Sequence, residues 1–311
     1  METLLEKKDQ IQMLDGILHW LNANIEKFQI PIEAAPSTCG PEEITADIKR
    51  KAFSELGLAI RLAQRSPFLQ QHPEMKKLQK SWVDIIDSQD FFFDTRRRLQ
   101  LYPHRVVAYS VLRSLGIEND AAKSDLQAVL DRGFMENAER NAWEKLDMKY
   151  YIKACGLNHK FPSDEYLLKY SSLTNLPNLA YVQNLDLYGL THLLFHFADF
   201  GDIDMKQFLQ QDYKHIQDYT DLSLSMSVVK QDWDLTAELL INQYCLQKTF
   251  SEFDRHAAAT LLKAQQSSGF IPGREWVIAQ KTETEPASHI FEDVYHPTIV
   301  SLILLDCELM N

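Results

Sequence analysis

A chain of 311 residues, 45% hydrophobic and 24% charged, can bury a sizeable core in one large domain, which excludes a disordered chain. A net charge of −12, with Arg96-Arg97-Arg98 as the only dense basic run, argues against a nucleic-acid partner. Apolar runs such as 299–305 fall far short of the roughly 18 residues of a membrane span, METLLEKKDQ has no apolar signal core, and four scattered cysteines make no CxxC pair, so the expected setting is a reducing cytoplasm with no membrane partner.

Ten glycines, few alternating β-branched runs and repeated i, i+3, i+4, i+7 apolar spacing predict an all-α fold. The first helix carries Ile17, Leu18, Leu21, Ile25 and Phe28 on one face, and nothing in the sequence decides whether residues 11–28 pack on the body or on another subunit. The proline-rich IPIEAAPSTCGPEEI (30–44) then reads as a loop, which divides the chain into an N-terminal helix and loop (1–45) and a single α/α helical domain (46–311). Helical periodicity resumes over 52–63 and 106–115.

Gly116, Gly156 and Gly201 follow successive apolar runs at intervals of 40 and 45 residues, which predicts stacked helical hairpins ended by glycine. The stretch 269–297 reads as a long irregular connection of the kind that covers a site, with the next helix opening at Tyr295-His296-Pro297.

LLKAQQSSGFIPG (261–273), with Gln265 and Gln266 ahead of Gly269-Phe270, resembles the repeat of the α/α toroid proteins, the architecture of terpenoid cyclases and protein prenyltransferases. LTHLLFHFADFG, DWDLTAELL and YHPTIV together resemble an uncharacterised bacterial family of helical proteins found near natural-product biosynthesis genes. The toroid resemblance implies a barrel of helical hairpins with its site near the axis. It does not imply the known reactions, because the Asp-rich tracts, the zinc triad and the lanthionine-cyclase motifs are missing.

In such a barrel, polar residues at helix starts converge at one mouth, where partial positive charge favours anions. The clusters of that kind are Tyr102 with His104 and Arg105; Glu144 and Asp147; Asp186 and Tyr188; Asp232, Trp233 and Asp234; and Tyr295 with His296. Ordinary capping explains several of them equally well: Asp232 or Asp234 before LTAELL, with Glu238 four residues on, and Asp186 before LYGL.

Within THLLFHFADFGD (191–202), His192, His196 and Asp199 fall on one helical stripe about 60° wide. His192 and Asp199 would then lie about 10 Å apart along the axis, too far to share one ion.

These residues predict an enzyme acting on a small polar or anionic substrate by acid–base chemistry of the lyase, cyclase or hydrolase kind, with His192, His196, Asp199, His296 and Tyr295 as the catalytic set. His104, Arg105, Asp186, Tyr188, Asp232 and Trp233 would hold the substrate, with no cofactor. Two alternatives stand beside it. One is a non-catalytic helical module for a peptide or partner protein, and a homo-oligomer is open in either case. The other is a divalent-metal enzyme built on the same residues, with His192 and His196 at i, i+4, or His196 and Asp199 at i, i+3, completed by His296 or Asp232 from another helix.

Overall fold

The structure, a computed structural model, describes residues 4–30, 41–282 and 290–309. It is 73% helical with no strand among the described residues, so the all-α class predicted from periodicity is the observed one. In chain order the helices are α1 (Lys7–Ala23), α2 (Pro41–Ala63), α3 (Pro67–Gln71), α4 (Pro73–Ser88), α5 (Tyr102–Ser114), α6 (Asp120–Leu130) and α7 (Ala142–Ala154). They continue as α8 (Asp164–Lys169), α9 (Asn184–Phe197), α10 (Met205–Leu209), α11 (Tyr213–Lys230), α12 (Trp233–Gln247), α13 (Glu252–Ala264), α14 (Arg274–Thr282) and α15 (Ile290–Leu309). No helix among the described residues is long and apolar enough to cross a membrane.

The chain forms two compact units. The first takes residues 1–17, 140–147 and 162–311; the second takes 18–139 and 148–161.

In the second unit α2 packs on α5, and α5 on α6. Trp82 and Phe53 stack at 4.7 Å, and the Trp82 indole N–H donates to the Phe53 carbonyl at 3.1 Å, so neither ring buries an unpaired polar group. Gly116 and Gly156, expected to end apolar helices, follow α5 and α7 with φ of +76° and +64°. Two arginines of the basic triplet pair with aspartates, Arg96 with Asp125 at 2.7 Å and Arg97 with Asp94 at 3.7 Å.

The first unit is organised around α12, which packs against α9, α11, α13 and α15. Trp233 and every residue from Leu235 to Leu246 are buried. A helix buried on every side has no solvent face and belongs in a core, where each fully buried leucine stabilises by roughly 1.5–3 kcal/mol. Asp232 starts it by accepting the Leu235 amide at 3.3 Å, an N-cap worth about 1 kcal/mol.

Two sequence expectations are corrected in this unit and its neighbour. Residues 31–40 of the predicted loop 30–44 lie outside the described residues, but α2 already begins at Pro41, a residue whose fixed φ suits a first helical turn. The stretch 269–297 is largely helical: α14 occupies 274–282 and α15 opens at Ile290, not at Tyr295, with residues 283–289 outside the described set. Pro297 therefore sits inside a helix, where it has no N–H to give the Asp293 carbonyl. That carbonyl lies against Gly273, where a Cβ would come within 1.9 Å of its oxygen. The Asp293 carboxylate in turn accepts the Glu275 and Trp276 amides at 3.1 and 2.9 Å and so caps α14.

The Gln265–Phe270 motif behind the toroid resemblance serves as an anchor for α1. Gln265 Nε2 donates to the carbonyls of Met13 at 3.0 Å and Gly269 at 2.9 Å. Gly269 has φ +101° and lies so close to Gly16 that a Cβ would meet its carbonyl oxygen at 2.0 Å.

Candidate metal centre

Polar side chains of the first unit come together from four helices: the start of α7 supplies Asp147, α9 supplies Tyr188, Thr191, His192 and His196, α12 supplies Asp234 and Glu238, and α15 supplies His296. Their placement follows from local sequence. Helix α9 is held at its start by a capping box in which the Gln183 amide donates to Asp186 Oδ2 at 2.9 Å. From there, i, i+4 spacing puts Tyr188, His192 and His196 on one side of the helix. On α12, Asp234 and Glu238 have the same spacing.

These groups form two triads. In the first, Asp147, His192 and His196 each offer one ligand atom, all within 4.8 Å of one another; the second does the same with Asp234, Glu238 and His296. His196 Nε2 lies 3.3 Å from Asp147 Oδ1. His296 Nε2 lies 3.3 Å from Asp234 Oδ1 and 3.5 Å from Glu238 Oε1. His192 Nε2 is 3.9 Å from the same Glu238 oxygen, which links the triads. The Glu238 side chain is 1% exposed, and those of Asp234 and His296 are each 17% exposed.

A surrounding layer fixes these side chains. The Tyr188 hydroxyl donates to Asp234 Oδ2 at 2.7 Å, and the Thr191 hydroxyl donates to Glu238 Oε2. Trp143 sits edge-on to His192 at 5.3 Å, and Phe200 edge-on to His196 at 5.9 Å. Burial raises the Asp234 carboxyl above the usual range, helped by the Glu238 charge and opposed by His296. Glu238 moves the other way. Burial pushes it up, but the facing His296 and His192 imidazoles and the Thr191 hydroxyl outweigh that and bring it below the usual range. Tyr188 is raised strongly, by burial first and then by Asp234.

Of the catalytic set read from sequence, His192, His196 and His296 meet here. Asp199 does not share their stripe, because α9 ends at Phe197 and Asp199 turns into a 3₁₀ segment with φ +44°. Tyr295 is buried and stacks on Phe291 at 5.4 Å. Among the expected substrate-binding residues, Tyr188 joins the centre through Asp234.

Asp186 and Asp232 act as caps, with Asp232 also accepting from Asn184 Nδ2 at 2.9 Å. Trp233 lines a cleft of about 490 Å³ with Thr260, Lys263 and Gln266, and no triad residue lines that cleft. His104 and Arg105 belong to the second unit. His104 Nδ1 is bonded to Ser54 at 2.8 Å, and Arg105, wholly buried, donates to the Phe91 and Phe93 carbonyls at 2.9 and 2.6 Å. An arginine committed to backbone carbonyls is a structural clamp for that turn.

Fold and centre together define an all-α protein with a partly buried histidine–carboxylate array. Residues 14–305 match the family described as a domain of unknown function (DUF6895), and the chain belongs to it. No curated protein and no solved structure matches the chain.

Proposed function

We propose that the protein is a metal-dependent enzyme acting on a small polar or anionic substrate, with a divalent transition-metal ion held by Asp234, Glu238 and His296. The observation that carries this reading is the set of spacings. The imidazole-to-carboxylate separations of 3.3, 3.3, 3.5 and 3.9 Å exceed the roughly 2.7–2.9 Å of a charge-assisted hydrogen bond. They match two ligands that each lie about 2.0–2.2 Å from a common ion. Mixed imidazole and carboxylate ligands suit zinc, iron or manganese. Tyr188 and Thr191 do for the carboxylates what outer-layer hydrogen bonds do around metal ligands generally. Such an ion would polarise a substrate oxygen or lower the pKa of a bound water, which serves hydrolysis near neutral pH. The buried Cys155 thiol is in keeping with the reducing cytoplasm expected from the sequence.

A metal-free reading draws on the chain Tyr188–Asp234–His296, in which a carboxylate orients an imidazole for proton transfer. Elemental analysis separates the two. The purified protein, after incubation with zinc, manganese or iron and desalting, is expected to retain at least about one equivalent, given the tight binding of such ligand sets. His296→Ala should lose that ion and the turnover of a phosphate- and carboxylate-ester panel while keeping its helical circular dichroism. Retention below about 0.2 equivalents of every metal would overturn the metal reading, and turnover lost in His296→Ala would then favour proton transfer. Unchanged turnover in that variant sinks both.

A further inference from the structure

We infer that the centre holds two divalent ions, the second bound by Asp147, His192 and His196, with Glu238 as the carboxylate shared between them. This rests on the metal-dependent reading above and specifies its nuclearity.

The case begins with Glu238. Its Oε2 is taken by the Thr191 hydroxyl, which leaves Oε1 facing two histidines from different triads: His296 Nε2 at 3.5 Å and His192 Nε2 at 3.9 Å. One oxygen at ligand-pair distance from a nitrogen of each triad is the geometry of a bridging carboxylate, as two-ion centres with ions about 3.5–4 Å apart require.

The second triad meets the same spacing rule by itself. His196 Nε2 and Asp147 Oδ1 are 3.3 Å apart, and His192 completes the set within 4.8 Å. Ligands of one ion lie within about 4.4 Å of each other, so closing around an ion takes a few tenths of an ångström of side-chain rotation.

Charge points the same way. Asp234 and Glu238 lie one turn apart on a buried helix, and the only basic groups within ion-pair distance of either, among the described residues, are imidazoles. Burying a carboxylate is costly unless a cation compensates it, and two such groups beside each other raise that cost. Two dications offset three carboxylates without requiring the three histidines to be protonated at neutral pH.

The test uses the full chain stripped with chelator and reconstituted with Mn(II), read by elemental stoichiometry and electron paramagnetic resonance. Wild type should bind two Mn(II) per chain and show an exchange-coupled spectrum. Asp147→Asn, at a position whose side chain is 37% exposed, should fold as judged by circular dichroism and bind one ion with an uncoupled six-line spectrum. Glu238→Gln should lose the coupling. One ion in wild type, still one in Asp147→Asn, overturns the second site and leaves the single-ion reading standing. Two ions in Asp147→Asn overturns the ligand assignment, and two uncoupled ions in wild type overturns the bridge. No ion in wild type overturns the underlying reading as well.

Discussion

The Tyr188 hydroxyl donates to Asp234 Oδ2 at 2.7 Å, while Oδ1 of the same carboxylate faces His296 at 3.3 Å. One oxygen is thus anchored by the protein and the other is aimed at the centre. Tyr188→Phe should free the carboxylate to rotate and weaken metal affinity roughly 10- to 100-fold, the usual effect of losing an outer-layer partner. The metal-free variant should lose only about 1 kcal/mol of stability, the worth of one hydrogen bond. Calorimetric titration with Zn(II), together with urea unfolding of the metal-free forms, checks both. Equal affinities would show that Tyr188 does not orient a ligand.

The three histidines of the centre were legible because a histidine inside an apolar helix stands out, and THLLFHF and YHPTIV are such helices. Their partners were harder to read. Asp147 in KLDMKYY stands out only as part of a helix-start cluster with Glu144, and its role depends on a contact with α9 across 45 or more residues of chain. Asp234 and Glu238 share the spacing of an ordinary helix start, so capping accounted for them. The clue was that Glu238 is a lone charge within the apolar run LTAELLINQYCL. Asp199 was misplaced because periodicity cannot see a helix end made by positive φ at non-glycine residues, here Asp199 and Phe200. The start of α15 was missed for a related reason: a proline normally marks a boundary, and here the helix runs through Pro297.

The Gln265–Phe270 turn makes a stability prediction. Gly269 combines φ +101° with an approach to Gly16 that leaves no room for a methyl group. Gly269→Ala therefore adds left-handed backbone strain to a backbone clash, and a loss of at least about 2 kcal/mol is expected. Gln265→Ala should cost less, on the order of 1–2 kcal/mol, since it leaves the Met13 and Gly269 carbonyls without that donor but creates no clash. Urea midpoints ranked wild type, then Gln265→Ala, then Gly269→Ala would support the anchoring role. A wild-type midpoint in Gly269→Ala would show that the turn gives way freely.

His104 makes a prediction about acid stability that is independent of the metal centre. Burial lowers its pKa from 6.5 to about 4; Arg50 adds to the lowering, while Asp47 and Glu55 oppose it. The folded protein thus keeps this imidazole neutral between about pH 4 and 6.5, whereas the unfolded chain takes up the proton. More protons on the unfolded state means that stability rises with pH across that window, so the contribution is complete above 6.5 and is lost as pH falls toward 4. The ring is only partly buried, and after discounting for screening the effect should be on the order of 2 kcal/mol. His104→Gln removes the titration and retains hydrogen-bonding capacity toward Ser54, which now contacts Nδ1 at 2.8 Å. Urea unfolding at half-unit steps from pH 7 to 4 should give a shallower decline for His104→Gln than for wild type. Parallel curves would mean that the imidazole is protonated in the folded state as readily as in the unfolded one.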